Sequence, residues 1–286
     1  MEKLLPDQLK ALWQAVDEQQ LTVEAFMSEQ ERLLAAYRQT WEQALLLEGY
    51  KGLSESLLAE LGSYMRCADM AEIQRQCVQA VATLKGEWQS QVDPGDRQSI
   101  EHFYDASQAT IYELMWWHTL CDDASPLAYI TAWHFARQQG CRSYLDFGSG
   151  VGSGAILFAR HGFAVTLADI SSTLLGFSQW RLERRQLPAA YIDLKVGGLP
   201  SHAFDFVTAM DVFEHLVDPV ETAEQLWDAL KPGGFLYARI SAESDADRPQ
   251  HIVQDFGPTF AHMRALGLVE VWRDEWLWGH QVFQKA

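Results

Sequence analysis

The sequence is poor in basic residues and lacks long apolar runs. Only 22 lysines and arginines stand against 39 aspartates and glutamates in 286 residues, a formal net charge of −17 at pH 7. That charge repels phosphate backbones and anionic lipid, so we expect no nucleic-acid or membrane partner. No apolar run approaches the ~20 residues that span a bilayer, and the first ten residues lack a signal-peptide profile. We therefore expect a cytoplasmic protein.

Cysteines and clustered basic residues are also scarce. The cysteines have neither CxxC spacing nor the density of a disulfide-rich secreted domain, so we expect them to be reduced and mostly buried. They are Cys67, Cys77, Cys121 and Cys141. One basic cluster is visible, formed by Arg181, Arg184 and Arg185. It falls on a predicted helix, where a solvated face is expected.

The segment from residue 143 to 169 contains a strand, a glycine-rich turn, a helix and a second strand. Tyr144–Phe147 and Val165–Ala168 are short apolar runs typical of buried strands. The glycines at 148, 150 and 152 permit a tight turn against a ligand. Asp169 closes the second strand 21 positions after Gly148, a spacing typical of a carboxylate that holds the ribose hydroxyls of an adenosine. This segment predicts a nucleotide-binding βαβ unit.

Departures from other nucleotide-binding patterns narrow the choice of ligand. A dinucleotide fingerprint needs glycine at its sixth position, where this chain has Ser153. No Gly-Lys-Ser/Thr follows the turn, which excludes a Walker-type phosphate loop. Asp146, two residues before the first glycine, would repel a pyrophosphate but suits a ligand with an ammonium and a sulfonium. S-adenosylmethionine is such a ligand.

Further segments continue this pattern in order. Beyond Asp146–Gly152 and Ala168–Ser171, the chain contains Phe204–His215 (FDFVTAMDVFEH) and Leu230–Gly234 (LKPGG). Together they resemble the class I S-adenosylmethionine-dependent methyltransferases, particularly the small-molecule and ubiquinone-pathway O-methyltransferases. The likeness covers roughly residues 143–286. It implies an α/β fold with a doubly wound, seven-stranded, mostly parallel sheet whose last strand is antiparallel.

The resemblance also implies a cofactor site at the carboxyl ends of the strands. S-adenosylmethionine is the expected cofactor, with S-adenosylhomocysteine as its product. The residues expected to bind it are Asp146, Phe147, Gly148, Ser149, Gly150, Gly152, Asp169, Ile170, Ser171, Asp211 and Val212. Related chains often place an acid four positions before a Leu-Pro pair, where it meets the adenine. Here that position holds Lys195, which leaves Asp193 or backbone groups near Val196 as alternatives.

His215 is the candidate catalytic base, because it follows the fourth strand where the family's active-site loop begins and imidazole accepts protons near neutral pH. Fixing the loop through hydrogen bonds is the alternative role. Glu214 is expected to shape the pocket or contact the cofactor. Although Asp211, Glu214 and His215 are chemically suitable metal ligands, we expect no required metal. His118 and His251 are secondary base candidates.

The first half of the chain is predicted to be helical. An N-terminal helical domain is expected over residues 1–94, ending at the turn Val92–Asp96. The methyltransferase domain would occupy 95–286, with a helical cover over 95–140 and a Rossmann-like core over 141–286. Capping-box spacing predicts a helix start at Ser28, and further helices are expected over Ser54–Leu61, stopped by Gly62, and over Tyr64–Leu84.

The helical cover is unusually aromatic. Its large side chains could wall a substrate cavity or form a core between domains. The substrate candidates are Tyr104, Tyr112, Trp116 and His118, together with Glu214 and His251. Further strands are expected near residues 191–194, 205–210, 235–240, 268–273 and 280–284, with helices near 172–186 and 220–230.

The acceptor is less well defined than the cofactor. The fourth strand ends in Met210–Phe213, which lacks the Asn/Asp-Pro-Pro-aromatic motif of enzymes that methylate nucleobase amines. O-methylation of a small-molecule or natural-product acceptor is the first hypothesis, and N-methylation the next. A carrier- or peptide-bound substrate, or a homodimer, could use the N-terminal helices. A non-catalytic binding module and a nicotinamide-dependent oxidoreductase are the alternatives from other classes.

Overall fold

The computed structural model describes residues 3–242, 248–253 and 255–286. In these ranges the α-helices before the sheet are α1 (Leu5–Asp17), α2 (Val23–Leu45), α3 (Leu53–Met65), α4 (Met70–Gln91), α5 (Arg97–Ala106), α6 (Ala109–Glu113) and α7 (Ala124–Gln138). A π-helix, Leu114–Cys121, lies between α6 and α7. The helices within the sheet region are α8 (Ser153–Arg160), α9 (Ser172–Arg184), α10 (Pro219–Ala229) and α11 (Gly257–Ala265), with a 3₁₀ turn at Phe213–His215.

The strands are β1 (Ser143–Phe147), β2 (Ala164–Asp169), β3 (Ala189–Asp193), β4 (Phe204–Ala209), β5 (Leu230–Ala238), β6 (Leu268–Arg273) and β7 (Gln281–Lys285). Within the described chain they form one seven-stranded sheet in the order β3-β2-β1-β4-β5-β7-β6. Adjacent strands from β3 to β5 pair in parallel, and β7 runs antiparallel to both β5 and β6. The doubly wound fold and the antiparallel last strand are therefore confirmed.

The sheet separates two apolar layers, because successive strand residues point to opposite faces. On β1, Tyr144 faces one layer and stacks on Phe158 of α8, with ring centroids 3.7 Å apart. Leu145 faces the other layer, which α10 and α11 cover with residues such as Leu226 and Met263. Burial on both faces explains why these strands read as continuous apolar runs instead of alternating ones.

Helices α1–α4 pack on the same side of the sheet as α8 and α9. Their buried side chains, among them Leu9, Trp41, Leu57 and Cys77, belong to the same continuous apolar cluster as Tyr144. These helices therefore cover the sheet region directly. The division of the chain at residues 94 and 95 stays a prediction.

Several helix boundaries differ from the sequence-based ones, and three of them have a clear local cause. Helix α2 begins at Val23, not at Ser28, because Thr22 caps it by accepting a hydrogen bond from the Ala25 N–H at 3.2 Å. Helix α3 continues through Gly62 to Met65. A Cβ at residue 62 would lie 2.4 Å from Cε of Met70, so this glycine serves the close packing of α4 and does not end the helix. Helix α4 accordingly begins at Met70 instead of Tyr64.

The expectation of a solvated basic face at Arg181, Arg184 and Arg185 was wrong for two of the three residues. The side chains of Arg181 and Arg185 are buried, and both pair with Glu60 of α3. Arg184 is exposed and lies over the Trp180 ring. The buried anion is more than 120 residues away in sequence, so a helical charge pattern alone does not reveal it.

The cysteines carry free thiols, as expected, but their burial varies. Cys77 and Cys141 are buried, Cys67 is half-buried and Cys121 is exposed at the end of the π-helix. Burial raises the pKa of the Cys77 and Cys141 thiols to about 12, which keeps them protonated. Among the described residues we find no helix with the length and apolar character needed to cross a membrane.

Candidate active site

A cavity of about 230 Å³ opens at the carboxyl ends of β1, β2 and β4. Phe147, Gly148, Ser149, Gly150, Asp169, Ile170, Asp211, Val212 and His215 all line it. Tyr104, His118 and His251 reach the same cavity from other segments. The structure thus brings together most of the cofactor residues expected from the sequence and half of the expected substrate residues.

The glycine turn after β1 has the backbone that the sequence predicts. Gly148, Gly150 and Gly152 adopt φ values of 66°, 53° and 72°, the left-handed region that favours glycine. A Cβ at Gly148 would lie 2.5 Å from Cγ2 of Val212, and one at Gly150 would lie 3.0 Å from Cδ1 of Leu114. Gly152 lies outside the cavity lining, where it packs on Ser178. The absence of side chains at positions 148 and 150 therefore lets Val212 and Leu114 pack against the turn, and both glycines line the cavity.

Asp169 ends β2 at the cavity wall. Its Oδ2 accepts a hydrogen bond from the Gly150 N–H and its Oδ1 accepts one from the Ser171 N–H, both at 2.9 Å. Burial nevertheless raises the pKa of this carboxyl to about 6. Ser171 itself lies outside the cavity lining, where it caps α9 and donates to the Tyr104 carbonyl at 2.7 Å. Asp169 thus joins the glycine turn to the start of α9.

Asp146 lies beneath the cavity and does not line it. Its Oδ1 accepts hydrogen bonds from Tyr129 Oη at 3.2 Å and from Thr208 Oγ1 at 3.1 Å. Its Oδ2 has no hydrogen-bond partner in the described part of the chain, and burial raises the pKa of the carboxyl to about 7. Tyr129 lines the cavity above it and stacks on Trp41 of α2. A direct contact between Asp146 and a ligand ammonium stays a prediction.

The expected adenine contacts are also distributed differently. Lys195 pairs with Asp105 and reaches Ser172 Oγ at 3.2 Å, so it is turned toward α5 and α9. Asp193 accepts from the Lys195 N–H at 3.0 Å. Neither side chain lines the cavity, whereas Ile170 and Leu194 do. Val196 is also outside the lining, so the structure brings neither of the two alternatives for the adenine contact to the cavity.

The π-helix supplies cavity residues that sequence reasoning missed. Leu114 and Thr119 line the cavity beside the predicted His118, together with Glu113 at the end of α6. The predicted substrate residues Tyr112 and Trp116 lie outside the lining and pack against the apolar cluster of the N-terminal helices. Their aromatic character suggests a cavity wall, but the same character also suits the apolar core on which they pack.

His118 is held between acids. Its Nε2 lies 3.1 Å from Oε1 of Glu113, and its Nδ1 lies 3.2 Å from Ser125 Oγ and 4.0 Å from Oδ2 of Asp211. Although burial lowers the pKa of this imidazole, Glu113 and Asp211 raise it to about 9. His118 is then a cation at neutral pH, which favours a donor role over that of a secondary base.

Asp211 follows β4 in a strained backbone conformation. Its φ of 49° is in the left-handed region, which is costly for a residue other than glycine and is concentrated at functional sites. Its Oδ1 lies 3.3 Å from Nη1 of Arg239. Burial by itself would raise the pKa of this carboxyl, but His118, His280 and Arg239 hold it below its usual value. Asp211 is therefore an anion at the cavity wall.

His215 ends the 3₁₀ turn after β4 with a defined ring orientation. Its Nδ1 lies 3.1 Å from the Gln250 carbonyl oxygen and 3.3 Å from Tyr104 Oη. Because a carbonyl oxygen only accepts, the Gln250 contact places the ring proton on Nδ1 and leaves the lone pair on Nε2. Burial, with a smaller effect of nearby His251, lowers the pKa of this imidazole to about 4. His215 is therefore neutral at pH 7.

Glu214, His215 and His251 form a cluster whose ligand atoms lie within 4.8 Å of one another. One carboxylate and two imidazoles are a suitable donor set for a divalent transition metal. Burial and the charge of Asp211 raise the pKa of Glu214 to about 7. Its backbone carbonyl accepts from the Ile252 N–H at 2.9 Å. Glu214 thus lies behind the cavity wall and holds the segment that carries His251.

Comparisons with known proteins agree with this geometry. The model of the family described as "Methyltransferase domain" matches residues 128–279. The ubiquinone biosynthesis O-methyltransferase of Coxiella burnetii is 33% identical over 95 residues, 32% of this chain and 41% of that protein. A protein of Geobacillus sp. named as a methyltransferase is 30% identical over 123 residues, 41% of this chain and 49% of that protein. The matched region thus spans less than half of either relative.

A solved structure from Galdieria sulphuraria, titled as a sarcosine dimethylglycine methyltransferase, covers 58% of this chain and 88% of its own, with a TM-score of 0.47 and 15% identity. The family match carries the assignment, since it extends over more than half of the 286 residues. It includes the glycine turn, Asp169 and the turn that carries His215. The chain belongs to the methyltransferase-domain family, which confirms the predicted resemblance to the class I S-adenosylmethionine-dependent methyltransferases.

Proposed function

We propose that this protein transfers the methyl group of S-adenosylmethionine to an oxygen atom of a small-molecule or natural-product acceptor. The observation that carries this proposal is the neutral imidazole of His215, which lines the same cavity as the glycine turn and has its Nε2 lone pair available. A hydroxyl acceptor loses a proton on methylation, so it requires a base at this place.

The chain fits the cofactor at several points. Gly148 and Gly150 line the cavity, and Asp169 offers a carboxylate to the ribose hydroxyls. Ile170 and Leu194 provide apolar contacts for the adenine. When bound, S-adenosylmethionine supplies an electrophilic methyl group on a positively charged sulfur. The protein's part is to align the acceptor with that group.

His215 then removes the acceptor proton at Nε2. The hydrogen bond from Nδ1 to the Gln250 carbonyl fixes the ring and stabilises the charge that develops on it. Tyr104 Oη lies beside the same nitrogen, and burial raises the pKa of this phenol above its usual value, so it stays protonated. His251, 4.8 Å from His215 between ring centroids, adds a polar group at this end of the cavity.

The remaining cavity wall indicates a largely apolar acceptor. Trp41, Leu84, Phe103, Leu174 and Leu216 line it. Two of these side chains come from α2 and α4, so the N-terminal helices form part of the site. That observation favours, as a second candidate, an acceptor presented by a carrier or peptide that docks on these helices.

The direct test is incubation of the protein with S-adenosylmethionine carrying a labelled methyl group and a panel of phenols, alcohols and their amine counterparts. The proposal expects label in the oxygen-containing members. Label in the amines alone would replace O-methylation by N-methylation. If the protein binds the cofactor tightly but methylates no member of the panel, the search for the acceptor turns to carrier- or peptide-bound compounds.

We further propose that turnover needs no metal ion, since the Nδ1 of His215 is engaged by the Gln250 carbonyl and burial favours the protonated form of Glu214. Treatment with a chelator should therefore leave the methylation rate unchanged. Recovery of a lost rate on adding back Mg²⁺, Mn²⁺ or Zn²⁺ would contradict this and would assign the Glu214, His215 and His251 cluster as a metal site.

Cofactor affinity is expected to depend on pH through Asp169. Its pKa is raised to about 6, so the carboxylate that accepts hydrogen bonds is present above this pH and is progressively protonated below it. The dissociation constant for S-adenosylhomocysteine should therefore rise as the pH falls from 7.5 to 5, by up to roughly tenfold per pH unit below the pKa. Calorimetric titration at several pH values measures this. The same series on Asp169→Asn should have a smaller slope, which leaves the contribution of Asp146, whose pKa is raised to about 7. An equal slope in both proteins would exclude Asp169 as the cause.

A further inference from the structure

The contact between the N-terminal helices and the cofactor turn contains a buried ion cluster. Glu60 of α3 lies between Arg181 of α9 and Arg185, the residue after α9, and these three side chains are at most 1% exposed. Arg185 forms two hydrogen bonds with the Glu60 carboxylate, and Nε of Arg181 lies 3.3 Å from its Oε2. One buried anion therefore neutralises two buried cations only in part.

The guanidinium of Arg181 also holds the cofactor turn. Its Nη1 donates to the Val151 carbonyl at 2.6 Å and to Ser153 Oγ at 2.9 Å. Val151 and Ser153 both line the cavity. Ser153 Oγ in turn lies 3.0 Å from Oγ1 of Thr119 in the π-helix. Arg181 is thus the link between Glu60 and the backbone that shapes the cofactor site.

The charge states are consistent with this role. Burial alone would raise the pKa of Glu60, but Arg181 and Arg185 hold it below its usual value, so Glu60 is an anion. Burial lowers the pKa of Arg181 to about 10, which leaves it protonated at neutral pH. Without Glu60 two guanidiniums would be buried side by side, and their repulsion would displace Arg181.

We propose that Glu60 is a positioning residue for S-adenosylmethionine binding, which acts by holding Arg181 against Val151 and Ser153. The N-terminal helices thereby control the shape of a site whose glycine turn lies about 90 residues later in the chain. The inference rests on the cofactor site and not on the identity of the acceptor.

The test is calorimetric titration of Glu60→Gln with S-adenosylhomocysteine, alongside thermal unfolding. Affinity should fall by about 10- to 100-fold, similar to the loss that follows removal of a group that orients metal-binding residues. Glu60→Asp retains the charge and should restore part of the loss. Arg160→Gln is the matched control, because Arg160 Nε donates to the Ala44 carbonyl at 2.6 Å and so ties α8 to α2 without touching the turn. This control should bind like the unaltered protein.

Unchanged affinity in Glu60→Gln, with only a lower unfolding temperature, would overturn the proposal. If Glu60→Gln does not fold, Arg181→Lys provides the second test. It keeps the charge opposite Glu60 but lacks the guanidinium fork, so weakened binding is expected and normal binding would contradict the proposal. Absence of binding by the unaltered protein would instead overturn the cofactor assignment itself, and with it this inference.

Discussion

Replacement of His215 by glutamine is expected to lower the turnover number by about 10²- to 10⁴-fold, the range typical of a positioned general base. Glutamine retains a polar side chain near Tyr104 and the Gln250 carbonyl, but its amide cannot take up the proton that the hydroxyl substrate loses at neutral pH. Affinity for S-adenosylhomocysteine should stay unchanged. Initial rates with an acceptor from the panel, combined with calorimetry, separate the two effects.

The control for this substitution is His262→Gln. His262 lies on α11, away from the cavity, and its Nε2 is 3.3 Å from Oε2 of Glu224. Full activity is expected there. Since the pKa of His215 is lowered to about 4, the unaltered enzyme should also show no loss of rate from His215 between pH 8 and about 5. Retained turnover in His215→Gln would leave His215 with the role of fixing the loop.

Replacement of Asp169 by asparagine is expected to weaken S-adenosylhomocysteine binding by about 1.5–3 kcal/mol, or roughly 10- to 150-fold, the range for a hydrogen bond to a charged group. Asparagine keeps an acceptor for one of the backbone N–H groups that the carboxylate now binds, those of Gly150 and Ser171. It therefore disturbs the turn less than alanine would. Calorimetry at pH 8, where the carboxylate of the unaltered protein is ionised, measures the difference.

Asp193→Asn is the matched control for Asp169. Asp193 ends β3 and lies opposite Asp169 in the register of the neighbouring strand β2. Its side chain, however, lies outside the cavity and accepts a hydrogen bond from the Lys195 N–H. Its substitution should leave the affinity unchanged. Equal losses in the two variants would mean that the carboxyl edge of the sheet is generally sensitive, and would remove the specific role of Asp169.

Much of the fold could be predicted from local pattern. Every strand expected after residue 143 overlaps an observed one, because buried parallel strands are short apolar runs bounded by turns. The turn at Gly148 to Gly152 was predictable, since a left-handed backbone strongly favours glycine. Helix boundaries in the first half were less predictable. Ser28 has the capping spacing, yet Thr22 caps the helix, and the packing of Gly62 on Met70 outweighs its helix-breaking tendency.

Some residues of the site could likewise be predicted from the sequence and others could not. His215, Asp169 and Asp211 could be placed because each follows a strand whose carboxyl end faces the crevice. The positions of Tyr112 in α6 and Trp116 in the π-helix could not be predicted, because aromatic character alone does not show which side of a helix faces the cavity. Tyr129, which stands between Asp146 and the cavity, carries no motif of its own.

The sequence by itself determined which segments form strands, where the glycine turn lies and which carboxylate closes β2. These features depend on backbone conformation and on residues close together in the chain. Only the tertiary structure decided the charge of His118, the neutrality of His215 and the pairing of Glu60 with Arg181 and Arg185. Each of these depends on burial and on partners from distant segments, which bring charges together where water no longer screens them.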